Sequence, residues 1–417
     1  MASLGCSRMN NIEISTPITP NHNFRRIILP FALAETLVWA AYFYSFPAFL
    51  PIWESELGFS KANLTGAFTL SLVVSAVLSP AVGRLIDKGY GRTVFAGGAA
   101  LASVMLCLLS QADAIWQFYA IWLVIGIAMS GSLYDACFAI VTYSLGSDAR
   151  RAITLITLAA GFAGTVSFPS AYFLTEFFGW RVAILIFAAT VAFICLPLIF
   201  YGSYFASLQS KTHAPKASRT VSDALSIAKT QTFWFIGITF FLISINHGII
   251  ISHMLPIFYE RGLDAGLAVL MASLIGPMQV AGRVMMMAFE KRVSVFAICM
   301  ACFMAIFVAG WALYFGGMGL GLIGIFVVLQ GAGYGVLSII RPTVIAELLG
   351  RRDFGVIAGL LAVGFVIGTA LAPTLGSFLW IFGDYDLVIA FTICIPLFAL
   401  VSLVLAWRYQ SDNSTNQ

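Results

Sequence analysis

Twelve runs of about twenty apolar residues, divided by short polar turns, decide what this chain can fold into. They are Ile27–Leu50, Leu64–Ile86, Thr93–Ser110, Trp116–Leu145, Ile153–Leu174 and Val182–Phe200, then Phe233–Ile257, Leu267–Phe289, Val293–Phe315, Leu320–Leu349, Val356–Leu379 and Leu387–Trp407. As helix, each is long enough to cross a hydrocarbon layer about 30 Å thick. Of the 417 residues, 60% are hydrophobic and 10% charged. A soluble domain carries about 25% charge and could not hide so much apolar surface. The expected fold is therefore an all-α integral membrane protein with 12 transmembrane helices in two pseudo-symmetric six-helix bundles. The expected division is a tail over 1–26, a bundle over 27–201, a linker over 202–232, a bundle over 233–407 and a tail over 408–417.

The placement of lysine and arginine sets orientation. With the N-terminus inside, only Lys61, Arg181 and Arg261 fall in outer loops, while Glu54, Glu56, Asp113, Glu176, Glu260, Asp264, Asp384 and Asp386 fall outside with them. Both termini are expected to be cytoplasmic. The first apolar run is too long for a cleavable signal and no small-residue cleavage site ends it. A balance of 22 basic against 18 acidic residues argues against nucleic-acid binding. Cys299 and Cys302 have a redox or metal spacing but no second ligand pair, so no metal and no cofactor are expected.

Self-similarity organises the whole chain. Leu50-Pro51-Ile52 returns as Leu255-Pro256-Ile257. Gly58 and Gly262, Gly146 and Gly350, Pro169 and Pro373, and Phe178-Gly179 and Phe382-Gly383 are each separated by 204 residues. Gly83-Arg84 and Gly282-Arg283 correspond at 199. Between the second and third runs lies Gly83-Arg84-Leu85-Ile86-Asp87-Lys88-Gly89-Tyr90-Gly91-Arg92. On these features the chain resembles the major facilitator superfamily, whose loop motif has a glycine, an acid four residues on, and basic and glycine positions. It departs by one extra residue before Gly91. The resemblance implies a gating role for Gly83, Asp87, Lys88, Gly91 and Arg92, with Asp87 facing the helix that begins near Asp353. It also implies that runs one, four, seven and ten line a central cavity.

An ionisable group at bilayer depth costs about 2.5–3.5 kcal/mol on insertion scales, so each asks for a reason. Glu35, Asp135 and Arg341 qualify clearly, and His247 more weakly. They lie on runs one, four, ten and seven, the lining helices that the resemblance implies. Glu35, Asp135 and Arg341 each sit about 13–17 Å from the same membrane edge, counted at 1.5 Å per residue. Helical spacing adds Trp39, Tyr42 and Phe46 to the face of Glu35, and Gln330, Tyr334 and Ser338 to that of Arg341. Asn246 stands beside His247. These are the expected substrate- and proton-binding residues. Arg84 and Arg283, near helix ends, read as headgroup anchors, though Gln279-x-x-x-Arg283 could reach the cavity floor.

Two uses of the charges stay open at this stage. Arg341 could hold a carboxylate through paired hydrogen bonds while Glu35 or Asp135 carries a proton, or Asp135 and Arg341 could pair across the halves as a gate or brace. No catalytic string such as Gly-x-Ser-x-Gly or His-Glu-x-x-His occurs, so an enzyme is not expected. No phosphate-binding G-x-x-x-x-G-K-[ST] loop occurs either. The expected activity is secondary active transport by alternating access, moving a small organic anion with protons by symport. The resemblance to the superfamily's monocarboxylate and oxalate–formate branch points the same way. The alternative is a proton-driven efflux antiporter for amphiphilic compounds, held by aromatic residues and Glu35. A monomer, multi-pass in a bacterial inner membrane, with lipid, protons and a small molecule as partners, completes the expectation.

Overall fold

A computed structural model describes residues 24–210, 229–289, 292–350 and 354–415. Among the described residues, nine continuous helical segments are long and apolar enough to cross a membrane. They are α1 (Phe24–Leu57), α2 (Lys61–Leu109), α3 (Ile115–Leu145), α4 (Arg151–Gln209), α5 (Gln231–Glu260), α6 (Ala265–Phe289), α7 (Val295–Tyr314), α8 (Leu320–Leu348) and α9 (Ile357–Gln410). The described residues contain no strand, so the all-helical expectation holds.

With 49, 59 and 54 residues, α2, α4 and α9 are far too long for one crossing at 1.5 Å per residue. Each is broken by non-helical backbone where a polar turn was expected. The breaks fall at Gly89 in α2, Gly179 in α4 and Gly383–Asp384 in α9. Each long segment thus holds two of the apolar runs as successive limbs. The repeat is visible in the backbone as well. Gly58 and its counterpart Gly262 have φ of 68° and 86°, and Gly146 and Gly350 have 51° and 82°. All four stand at or just beyond a helix C-terminus, where a left-handed residue closes the last turn and side chains with a Cβ are strained.

Two expected boundaries move. Helix continues through Ser210, so the linker begins later than residue 202. Its extra turns are held by aromatic packing, with Phe205 under the Arg26 guanidinium at 5.2 Å. Helix also continues past Trp407, where a tail was expected, through Thr415. There Tyr409 stacks on Phe235 at 5.6 Å and Gln410 Nε2 donates to the Glu347 carbonyl at 2.9 Å. The expected tail over 1–26 lies almost entirely outside the described residues, as do most of the linker and Asp353.

The apolar core has an uneven shape. At the end marked by Lys61 and Trp380, opposite the start of α1, side chains from both halves join one cluster that includes Phe46, Trp53, Phe68, Met254, Phe258 and Tyr385. At the other end, where α1 and α5 begin, second-half residues Phe233, Phe240, Ile340, Val344, Leu361 and Leu403 form a separate cluster of their own. The halves are fused at one end and divided at the other.

Polar contacts reinforce the fused end. Thr65 and Ser377 hydroxyls meet at 2.8 Å, as do those of Thr69 and Thr374. Lys61 Nζ pairs with Glu54 at 3.6 Å and lies 3.9 Å from the Trp380 ring centroid. Midway along, Thr165 Oγ1 donates to the Ser273 carbonyl at 2.7 Å. Gly276 of α6 abuts α4 there, and a Cβ on it would stand 2.7 Å from Thr165 Oγ1. Gly276→Ala should therefore push the halves apart and destabilise by about 1–3 kcal/mol. Gly97→Ala, whose Cβ meets nothing within 4 Å, should be neutral. Thermal unfolding in detergent checks the pair, and equal melting temperatures would contradict this packing.

Candidate functional site

Between the two separate apolar clusters stand most of the expected charged residues, and the space toward the divided end is called the cleft below. On the second-half wall, α8 buries a glycine face: Gly331 packs against Ile275 and Met278, and Gly335 against the backbone of Gln279. That contact fixes the roll of α8, and its polar residues then fan out instead of acting as one stripe. Gln330 donates to Asn246 Oδ1 at 3.1 Å, and Asn246 Nδ2 donates to the Thr392 carbonyl at 2.9 Å. Asn246 and Gln330 are buried in this satisfied network inside the second half. Tyr334 stacks on His247, with ring centroids 3.3 Å apart and planes within 7°. Ser338 accepts from Arg283 at 3.1 Å. Arg341, like Tyr334 and Ser338, is partly exposed. Its guanidinium lies 4.6 Å from the Phe365 ring centroid and has no hydrogen-bond or ion-pair partner among the described residues.

The first-half wall is shaped by two departures from regular helix. In α1, residues Ala40–Tyr44 form a π-helical turn. Such a bulge adds a residue to the turn and rotates the remainder of the helix. Glu35 and Trp39 precede it and stay together, the indole Nε1 donating to Glu35 Oε2 at 3.1 Å. Tyr42 is carried by the rotation into the first-half interior, where its hydroxyl meets Ser132 Oγ at 2.6 Å. Phe46 stacks on Phe68 there, 4.3 Å between centroids. Tyr44 takes the place expected of Tyr42, facing Gly164, Phe168 and Gln279.

The second departure is in α3, where Leu133 is extended (φ −103°, ψ −170°) and a new helical limb begins at Tyr134. Asp135 sits in its first turn, where partial positive charge favours a carboxylate. It is exposed, and Ser79 Oγ donates to it at 3.0 Å. Tyr134 turns inward against Trp39, 4.7 Å between rings. Glu35 is 0% exposed, one carboxyl oxygen has no hydrogen-bond partner, and the Cys137 thiol lies beside it. Asp135 and Arg341 form no ion pair in this conformation. The three ion pairs among the described residues all lie at the fused end: Lys61–Glu54, Arg181–Asp113 and Arg261–Asp386.

Arg283 corrects the sequence reading. A headgroup anchor was expected, yet the residue is 7% exposed and all of its guanidinium nitrogens are engaged. Nε donates to the Gly335 carbonyl at 3.1 Å and Nη2 to Ser338 at 3.1 Å. Nη1 crosses to the first half and donates to the Thr157 carbonyl at 2.9 Å. Its charge stands within electrostatic reach of Tyr44, Tyr134, His247 and Tyr334, the rings around the cleft floor. Counting residues to the helix end hides this. The alternative that Gln279-x-x-x-Arg283 offered is nearer to this placement, and Gly276 and Gly282 add a small face that lipid would not reward.

The loop motif absorbs its extra residue as a π-helical turn over Ile86–Tyr90, with Gly89 at φ 92°. Asp87, Lys88 and Arg92 are exposed, Gly91 is buried and Gly83 partly so. Among the described residues neither Asp87 nor Lys88 has an ion-pair partner. The helix start that Asp87 was expected to face lies beside residues outside the described set.

Arg341→Gln and Arg283→Gln should separate these roles. Removing Arg283 breaks three charge-assisted hydrogen bonds, one of them between the halves, and should lower stability by about 2–5 kcal/mol. Removing the partnerless Arg341 should change unfolding by less than about 1 kcal/mol. Melting curves of the two variants measure the difference.

A family model described as Major Facilitator Superfamily matches residues 31–324. No curated protein matches the chain. Among solved structures the chain is similar to the nucleoside transporter NupG, with TM-score 0.67 at 17% identity over 93% of this chain and 98% of that one. A point mutant of NupG gives TM-score 0.72 at 14% identity, covering 93% and 100%. A bacterial homologue of the human lysosomal transporter Spinster, in an inward-facing and occupied conformation, gives TM-score 0.64 at 15% identity, covering 93% and 97%.

Proposed function

For a chain that belongs to the major facilitator superfamily, we propose proton-coupled transport of a small organic anion, with Arg341 as the anion anchor and Glu35 as the proton carrier. The chain is a multi-pass membrane transporter, not an enzyme, and the family's mode is secondary transport by alternating access. The observation that carries the finer reading is the partnerless Arg341 guanidinium on one wall of a cleft closed at its far end. A planar guanidinium there offers paired hydrogen bonds to a carboxylate. Phe365 behind it supplies an apolar wall for the rest of the molecule.

Glu35 is the matching proton site. It is buried, half-satisfied and on the opposite wall, so loading it with a proton removes a charge from the cleft lining. A proton on Glu35 removes a negative charge that would repel an anion at Arg341, so each favours the other's binding and the two move together. Twelve crossings result from reading α2, α4 and α9 as two crossings each. Lysine and arginine placement puts the termini, and with them the open end of the cleft, in the cytoplasm. A bacterial inner membrane is the location this orientation suits.

The decisive measurement uses protein reconstituted in liposomes, with an inward proton gradient and a panel of small carboxylates. Arg341→Gln should abolish uptake of any substrate the parent takes up. Glu35→Gln should abolish gradient-driven accumulation while preserving substrate exchange. A parent indifferent to the proton gradient would overturn the coupling. The part-buried rings of Trp39 and Tyr134 favour one second reading, efflux of amphiphilic compounds. Thermal stabilisation by lipophilic cations, equal in parent and Arg341→Gln, would select it.

Alternating access also demands that the fused end open. A disulfide between cysteines placed at Thr69 and Thr374, with Cys6, Cys107 and Cys394 replaced by alanine, should stop transport, and reduction should restore it. Undiminished transport in the oxidised form would count against rocking halves.

A further inference from the structure

A small solvent-open groove of about 80 Å³ lies at the divided end of the molecule, within the first half and away from the central cleft. It is bounded by the Gly89 turn, the start of the second limb of α2, the end of α3 and the end of α4. Three features of its wall point to one ligand chemistry. Arg92 lines it, exposed, with its guanidinium 5.0 Å from the Phe200 ring centroid and no acidic partner among the described residues. Ser203 also lines it, yet the residue is 2% exposed and its hydroxyl has no hydrogen-bond partner. Buried hydroxyls are satisfied as a rule, so an orphan on a groove wall marks the place of a missing acceptor or donor. The 19-residue helical limb Gly91–Leu109 starts at the groove without a side-chain cap, which adds partial positive charge.

A guanidinium, a free hydroxyl and an uncapped helix start are a donor set for phosphate oxygens, and none of the residues lining the groove is acidic. The surroundings favour a lipid as the source. Exposed Tyr90, Tyr201 and Tyr204 ring the site, and Phe200 and Leu208 continue an exposed apolar surface from it. Tyrosines at this level mark the headgroup region, and the apolar surface offers a path for acyl chains. We propose that this groove binds the phosphate of an anionic phospholipid, with Arg92 and Ser203 as its ligands. Such a site holds the loop turn, α3 and α4 together at the end that must move if the halves rock. It stands on its own residues and does not depend on the transported substrate.

The test uses full-length protein in phosphatidylcholine nanodiscs with and without phosphatidylglycerol, read by native mass spectrometry for retained lipid and by thermal unfolding. Phosphatidylglycerol should be retained and should raise the melting temperature of the parent. Arg92→Gln and Ser203→Ala should each weaken retention roughly tenfold, with Arg92→Lys keeping most of it. Ser203→Ala leaves the packing intact, so it decides the matter should Arg92→Gln fold poorly. Equal retention by parent and Ser203→Ala overturns the site. Inorganic phosphate protecting the phosphatidylcholine sample as well as phosphatidylglycerol does overturns the lipid as its source.

Discussion

The hydrocarbon core of a bilayer offers no partner to a peptide N–H or carbonyl, so chain within it stays helical except where protein or a watery cleft covers the gap. The departures here gather around one place. The π-helical turns at Ala40–Tyr44 and Val191–Cys195, the extended Leu133 and the turn at Gly161–Phe162 all lie inside the first half, deep in the membrane. Around them stand Glu35, Cys137, Cys195, Tyr134 and Tyr44. Each irregularity re-aims a side chain that regular helix would have sent elsewhere. The chain tolerates broken helix only beside the residues whose placement needs it.

The two arginines of the second half show how environment divides one chemistry into two roles. Arg283 is enclosed by three oxygens, including a carbonyl of the opposite half, and is a tie between the halves. Arg341 rests on an aromatic face and keeps its hydrogen-bonding edge unused. A charge left without an opposite partner at this depth is costly.

The closure at the opposite end is built from contacts that are individually weak. A hydroxyl pair contributes about 0.5–1.5 kcal/mol and an ammonium over an aromatic ring about 0.5–2 kcal/mol. Two such pairs and the Lys61 clamp therefore add a few kcal/mol to the apolar cluster that joins the halves there. Inverting a two-state population from 1:99 to 99:1 takes about 5.5 kcal/mol of differential binding. The two magnitudes are comparable, so differential substrate binding is of the size needed to reverse the polar part of the seal.

Helical runs and the internal repeat were legible in the sequence, because each depends on composition and on a count along one chain. The repeat placed Gly146 and Gly350 at the ends of equivalent spans, and both have positive φ there. What the sequence could not hold is which neighbour each side chain meets. Uniform helical periodicity put Tyr42 beside Glu35, but a π turn rotated it onto Ser132 and brought Tyr44 forward. The same periodicity made one stripe of Gln330, Tyr334, Ser338 and Arg341, and glycine packing against α6 sent each to a different partner. Arg283 looked like a surface anchor because distance to a helix end says nothing of what covers that end. Solvent preference is written residue by residue, whereas partnership is settled only when two helices choose the angle and roll at which they pack.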